Sequence, residues 1–203
     1  VVPDRPLILL GWSFGGLLAW EAAHQLRRIG AIVEGVIILD GVASAEPIRH
    51  LLQKDEADYL AALFDEMGLG DAEALRRLSP EARLDLIVER ARGGDYLPDG
   101  LDRQHMRRLL ALFQNNGLAA IRYQPPKSAG RLLLIRPRIP SGQAPGIPGD
   151  DYNGWATLAA DGVDLRWMDG THAQMLVHPY IEQLAGHIRD FLDQTTSDVS
   201  ESR

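Results

Sequence analysis

Pro6-Leu7-Ile8-Leu9-Leu10-Gly11-Trp12-Ser13-Phe14-Gly15-Gly16 is the stretch on which the fold of this chain turns. An apolar run meets a glycine, a serine sits at the tip of the turn, and a helical pattern from Leu17 to Ile29 follows at once. G-x-S-x-G between a strand and a helix is the pattern of a nucleophile elbow, in which a sharp, strained turn lifts a serine hydroxyl clear of the sheet. The spacing predicts that Gly11 and Gly15 give room for the reversal, and that Gly16 lets the helix approach the strand. A bare G-x-S-x-G arises by chance in about a few per cent of chains of this length at average residue usage. The strand before it, the helix after it and Gly30 at the expected C-cap favour a functional Ser13 over a merely structural glycine turn.

The rest of the pattern supports a parallel α/β sheet. Ile32 to Leu39 is an almost unbroken apolar run ending at Asp40-Gly41, as expected of a strand covered on both faces. From Pro47 to about Tyr123 the period becomes helical. One segment runs near Ile48 to Met67, a short one from Asp71, a third from Ser79-Pro80-Glu81 to Gly93-Gly94, and a last from Asp102 to Tyr123. Ser79 caps, Pro80 takes the first turn and Glu81 faces the helix dipole. Arg131 to Arg136 and Val163 to Met168 restore the strand pattern, separated by a Gly/Pro-rich loop from Pro137 to Gly149. Pro179 opens a final amphipathic helix, and a polar, loose tail is expected over 195–203. The helical block is longer than a simple crossover. It reads either as a lid insertion over about 47–123 or as a rigid extra layer.

Composition narrows the function. The 203 residues carry a net charge of −7 and no basic run, which argues against nucleic-acid binding. No apolar stretch approaches the roughly 20 residues that span a bilayer. The absence of cysteine excludes a disulfide scaffold, a thiolate nucleophile and cysteine-ligated zinc, and it fits a cytoplasmic protein. Asp150-Asp151 lacks companion ligands for a metal site. Arg76, Arg77, Arg103, Arg107 and Arg108 are spaced like a solvated helix face, although an acidic partner could meet them. Trp20 and Trp155 are expected to be core or loop anchors.

A serine needs a base, and the base an orienting acid. In open α/β sheets such residues gather at the carboxyl ends of strands. His172, just past the strand ending at Met168, meets that rule best. His24 and His187 lie on polar helix faces, His50 and His105 in the helical block, and His178 before Pro179. Asp40 ends the strand after the elbow helix and is the favoured acid. The commoner position, one strand later, holds Arg136-Pro137-Arg138, and the nearest acids there are Asp150 and Asp151. Ser13, Asp40, His172 is the chain order of an α/β-hydrolase triad. Phe14 N–H is the expected first oxyanion donor.

With these residues in place, the chain resembles the type I thioesterase domains that end nonribosomal peptide synthetases. The resemblance rests on Pro6 to Gly30, Val36 to Asp40, Asn115 to Leu134, and Gly154-Trp155 through Gly170-Thr171-His172 and the helix beyond. It implies an α/β-hydrolase with a mostly parallel sheet, a helical lid insertion and about three further strands upstream, so the chain reads as N-terminally truncated. The family often has an acid where Thr171 stands. The resemblance further implies a thioester-bound acyl or peptidyl chain, delivered on the phosphopantetheine arm of a partner carrier domain within a larger synthetase. Ser13, Asp40 and His172 would transfer it through an acyl-enzyme to water or to an internal nucleophile, with no cofactor of the domain's own. A second oxyanion donor is expected from a loop before Val1, so this chain alone is expected to turn over slowly. The alternatives are a discrete editing thioesterase, a general carboxylesterase and a non-catalytic binding module.

Overall fold

The computed structural model describes residues 5–44, 49, 57–58, 60–61, 64, 70–91, 102–139, 147 and 149–201. Four strands form a wholly parallel sheet in the order β1 (Leu7–Trp12), β2 (Val33–Leu39), β3 (Arg131–Pro137) and β4 (Val163–Met168). The expected four-stranded α/β sheet is thus present. Its registers set Trp12 beside Leu39, Leu39 beside Ile135 and Pro137 beside Met168, so the carboxyl ends of all four strands share one edge.

Alternation along the strands explains how both faces are filled. Ile37, Leu39, Leu133, Ile135 and Met168 pack with Leu184 and Phe191 of α5 (Tyr180–Glu201). The opposite face, including Ile38, meets α1 (Phe14–Arg28): a side chain at Gly16 would come within 2.7 Å of Ile38 Cγ2. The close approach expected of Gly16 is therefore present. The helix starts at Phe14 rather than at Leu17, and Gly30 follows its C-cap Ile29 with φ 86°. At the edge strand β1 and nearby, Leu10, Leu18, Ile29 and Ile32 are exposed.

The chain divides into two compact units. The sheet unit comprises Val1–Ser44, Gln124–Pro140 and Gly146–Arg203; the second comprises Ala45–Tyr123 and Ser141–Pro145. Within the second, α2 (Ala72–Arg76), α3 (Pro80–Ala91) and α4 (Arg103–Arg122) are described. They share a core of Leu75, Leu84, Ile87, Val88, Met106 and Leu110 with Leu60 and Phe64. Asp71 and Asp102 cap α2 and α4 by accepting the backbone N–H of Glu73 and His105, while Ser79 Oγ accepts that of Ala82. Most of the segment expected from Ile48 to Met67, the stop at Gly93-Gly94 and much of the loop from Pro137 to Gly149 lie outside the described residues.

One boundary differs from expectation. The α5 backbone continues helical through Thr195 to Glu201, where polar composition predicts a loose tail. That segment holds neither glycine nor proline, so nothing in its backbone chemistry stops the helix.

Candidate active site

Ser13 owes its position to backbone constraint. Its φ of 55° and ψ of −123° lie outside the regions an L-residue normally occupies. Such a conformation costs about 1–3 kcal/mol and persists only where the surroundings over-determine it. Here Ser13 N–H donates to Leu39 O at 2.9 Å, and Gly16 N–H to Ser13 O at 2.9 Å. The turn is so tight that a Cβ on Gly11 would lie 1.9 Å from Gly15 O. A Cβ on Gly15 meets nothing within 4 Å, which corrects the reading that both glycines make room. The crowding falls on Gly11, because it is the carbonyl of Gly15 that folds back over it. Phe14, the first residue of α1, has an N–H with no intrahelical acceptor.

Asp40 stands one residue beyond β2, level with Ser13 on the neighbouring strand. Its φ of 47° is left-handed, a region that aspartate and asparagine tolerate better than most residues. Its N–H donates to Ile135 O at 2.8 Å, which fixes the turn against β3. The carboxylate is buried and meets His172, with Nδ1 and Oδ2 2.7 Å apart. With Nδ1–H donating to the acid, Nε2 is left as the basic nitrogen. His172 follows β4 through Gly170, whose φ is 88°. Its other wall is Trp12, stacked on the imidazole at 5.0 Å between centroids and 25° between planes.

Of the residues expected at the site, the fold pairs Asp40 with His172 and places Ser13 at the elbow beside them. No hydrogen bond from the Ser13 hydroxyl occurs among the described residues. Of the two competing acids, Asp150 is engaged elsewhere. Asp150 accepts Tyr152 N–H at 2.9 Å and Gly154 N–H at 2.7 Å, so its carboxylate holds its own turn. Of the other histidines, His105 pairs with Asp102 and His178 with Glu182. His187 is less simply polar than its helix position suggests, since its Nε2 is buried without a partner.

Two residues at the site had no expected role there, Trp12 beyond its place in the elbow and Arg136. Arg136, near the end of β3, is only 8% exposed. Its Nε lies 3.6 Å from Asp40 Oδ1. Its Nη1 donates to the carbonyls of Asp150 at 3.1 Å and Asp151 at 2.9 Å, and its guanidinium lies 5.1 Å from the Trp167 ring centre. The only sequence signal was a cation where an acid is common. Trp155 is the anchor expected: fully buried, it donates from Nε1 to Gly41 O at 2.8 Å and packs against Trp20.

A serine held in a strained turn at the carboxyl edge of a parallel sheet, beside a buried acid–histidine pair one strand away, is the architecture of an α/β-hydrolase. More narrowly, the Thioesterase domain model matches residues 1–192, and the chain belongs to that family. It is 27% identical to orsellinic acid synthase armB of Armillaria mellea, over 89% of this chain but 7% of that protein. To chondramide synthase cmdD of Chondromyces crocatus it is 25% identical, over 96% of this chain and 5% of that one. A holo four-domain nonribosomal peptide synthetase bound to AMP and glycine superimposes with TM-score 0.70 at 25% identity, covering 93% of this chain and 14% of that one. The NocB thioesterase domain, in covalent complex with a fluorophosphonate nocardicin G analogue, shares the fold with TM-score 0.63 at 21% identity, over 94% of this chain and 67% of that one. The chain thus spans a small fraction of its synthase relatives, and no helix among the described residues is long and apolar enough to cross a membrane.

Proposed function

We propose that this thioesterase domain releases an acyl or peptidyl chain from the phosphopantetheine thioester of a carrier domain, using Ser13 as nucleophile, His172 as base and Asp40 as its orienting acid. The observation that carries the reading is the 2.7 Å contact of Asp40 with His172 at the strand edge where Ser13 is presented. Membership of the thioesterase family and kinship with synthases and synthetases support the substrate class.

Ser13 Oγ attacks the thioester carbonyl while its proton passes to His172 Nε2, and Phe14 N–H faces the developing oxyanion. His172 returns that proton to the departing sulfur as the carbon–sulfur bond breaks, leaving an ester on Ser13. A water, or an amine or hydroxyl of the chain itself, then gives its proton to His172 and attacks the ester, and His172 passes that proton to Ser13 Oγ as the ester bond breaks. The product is a free acid or a ring. Asp40 keeps the proton on Nδ1 and stabilises the imidazolium at each stage. The serine–imidazole hydrogen bond that this reading needs forms as substrate docks.

Intact mass after treatment with a fluorophosphonate probe tests the assignment. One adduct on the native chain, lost in Ser13→Ala, is expected. An unchanged adduct in Ser13→Ala, or none on the folded chain carried in its parent synthetase, would overturn it.

A further inference from the structure

Asp40 has two carboxylate oxygens, and the fold sets a partner of opposite character on each. Oδ2 meets His172 and Oδ1 faces Arg136 Nε at 3.6 Å. Both ends of the Asp40–Arg136 pair are nearly dry, with side-chain exposures of 8% and 10%. A guanidinium buried in this way is fixed by its other contacts: two loop carbonyls on Nη1 and the Trp167 face. Arg136 Nε itself is buried without a hydrogen bond, so that nitrogen is reserved for an electrostatic contact with Asp40.

We propose that Arg136 is a positioning residue for the Asp40–His172 pair, neutralising the carboxylate and fixing which oxygen meets the imidazole. The proposal rests on the triad assignment above and deepens it. An unopposed buried carboxylate beside His172 would favour the imidazolium and leave less free base near neutrality. With Arg136 opposite, the carboxylate still orients the ring, but its charge is shared. The same side chain ties the loop at Asp150 and Asp151 to the strand end, so acid and loop are held by one group. The other charges close by differ in kind. The Asp150 carboxylate is spent on its own turn, and Asp169 is exposed and lies 3.7 Å from Arg138.

The test is the pH profile of kcat/KM for an acyl-pantetheine thioester in native protein, Arg136→Gln and Arg136→Lys. Gln keeps a donor for the loop carbonyls and removes the charge. Its acid limb should move up by about one pH unit, and its plateau kcat should fall about tenfold with KM little changed. Lys should hold the acid limb at the native position. A folded Arg136→Gln with the native acid limb would overturn the proposal and leave Arg136 as a loop strut, even if its melting temperature falls. Should Arg136→Gln not fold, the Asp40→Asn/Arg136→Gln double variant decides. Recovered folding traces the damage to an uncompensated Asp40 charge and supports the proposal; continued misfolding overturns it. Fluorophosphonate labelling of Ser13 separates failure here from failure of the triad, because native labelling lost in Ser13→Ala upholds the triad whatever Arg136 does.

Discussion

Trp12 lies almost flat against His172, their rings 5.0 Å apart at 25°. The residue before Ser13 thus forms a wall of the His172 imidazole, and the elbow positions two groups at once. Trp12→Ala should free the imidazole to tilt and lower kcat/KM by about 10- to 100-fold, with Trp12→Phe within a few-fold of native. Steady-state hydrolysis of an acyl-pantetheine thioester reads both. An alanine variant with native turnover would show that the stack is incidental.

Asp40→Asn should keep the fold and lower kcat by roughly 10⁴, because an amide favours the wrong imidazole tautomer. Asp169→Asn, an exposed acid three residues before the histidine, serves as the comparison and should stay near native. Equal losses in the two variants would remove Asp40 from its assigned role.

The two elbow glycines should behave oppositely. Gly11→Ala places a methyl against the carbonyl of Gly15 and should abolish soluble expression or cooperative melting. Gly15→Ala meets open space on a helix, and its propensity gain is worth up to about 1 kcal/mol. Thermal melts of the two variants suffice; a folded Gly11→Ala would contradict the geometry.

Acid should weaken the cap of α4. The Asp102 carboxyl is held below its ordinary value first by the backbone N–H of His105, and also by the His105 side chain. A depressed carboxylate contributes stability above its unfolded pKa and loses it as pH falls through the folded value. The melting-temperature gap between native protein and Asp102→Ala should therefore be full near neutrality and close progressively below the ordinary carboxylate range. A gap constant down to strongly acidic pH would mean that the cap contributes nothing through its charge.

Much of this site is legible in the chain because its parts lie at strand ends, where local pattern speaks. Ile32 to Leu39 reads as a buried strand, so Asp40 falls at its carboxyl end; Val163 to Met168 does the same for His172. The G-x-S-x-G spacing picks out Ser13 without any tertiary knowledge. Arg136 and Trp12 are not legible in the same way. Whether a cation at the end of β3 turns toward the acid of β2 depends on strand order and register, and composition along one segment carries neither. The Asp150 carboxylate is bound by N–H groups two and four residues on, a local motif that spacing alone does not separate from a catalytic acid. The continuation of α5 past Thr195 escapes a reading by polarity, because a polar run suggests a loose tail while the backbone has no residue to break the helix.

The left-handed backbone of Asp40 has a consequence for variation at this position. Few side chains tolerate a φ of 47°, and asparagine, one nucleotide away from aspartate, is foremost among them. A selection that reports only on folding would pass Asp40→Asn and reject bulkier replacements. Under the triad assignment that survivor has lost the function. At this position, thermal robustness and catalytic competence are inherited separately, and a library screened by solubility alone would enrich for silent enzymes.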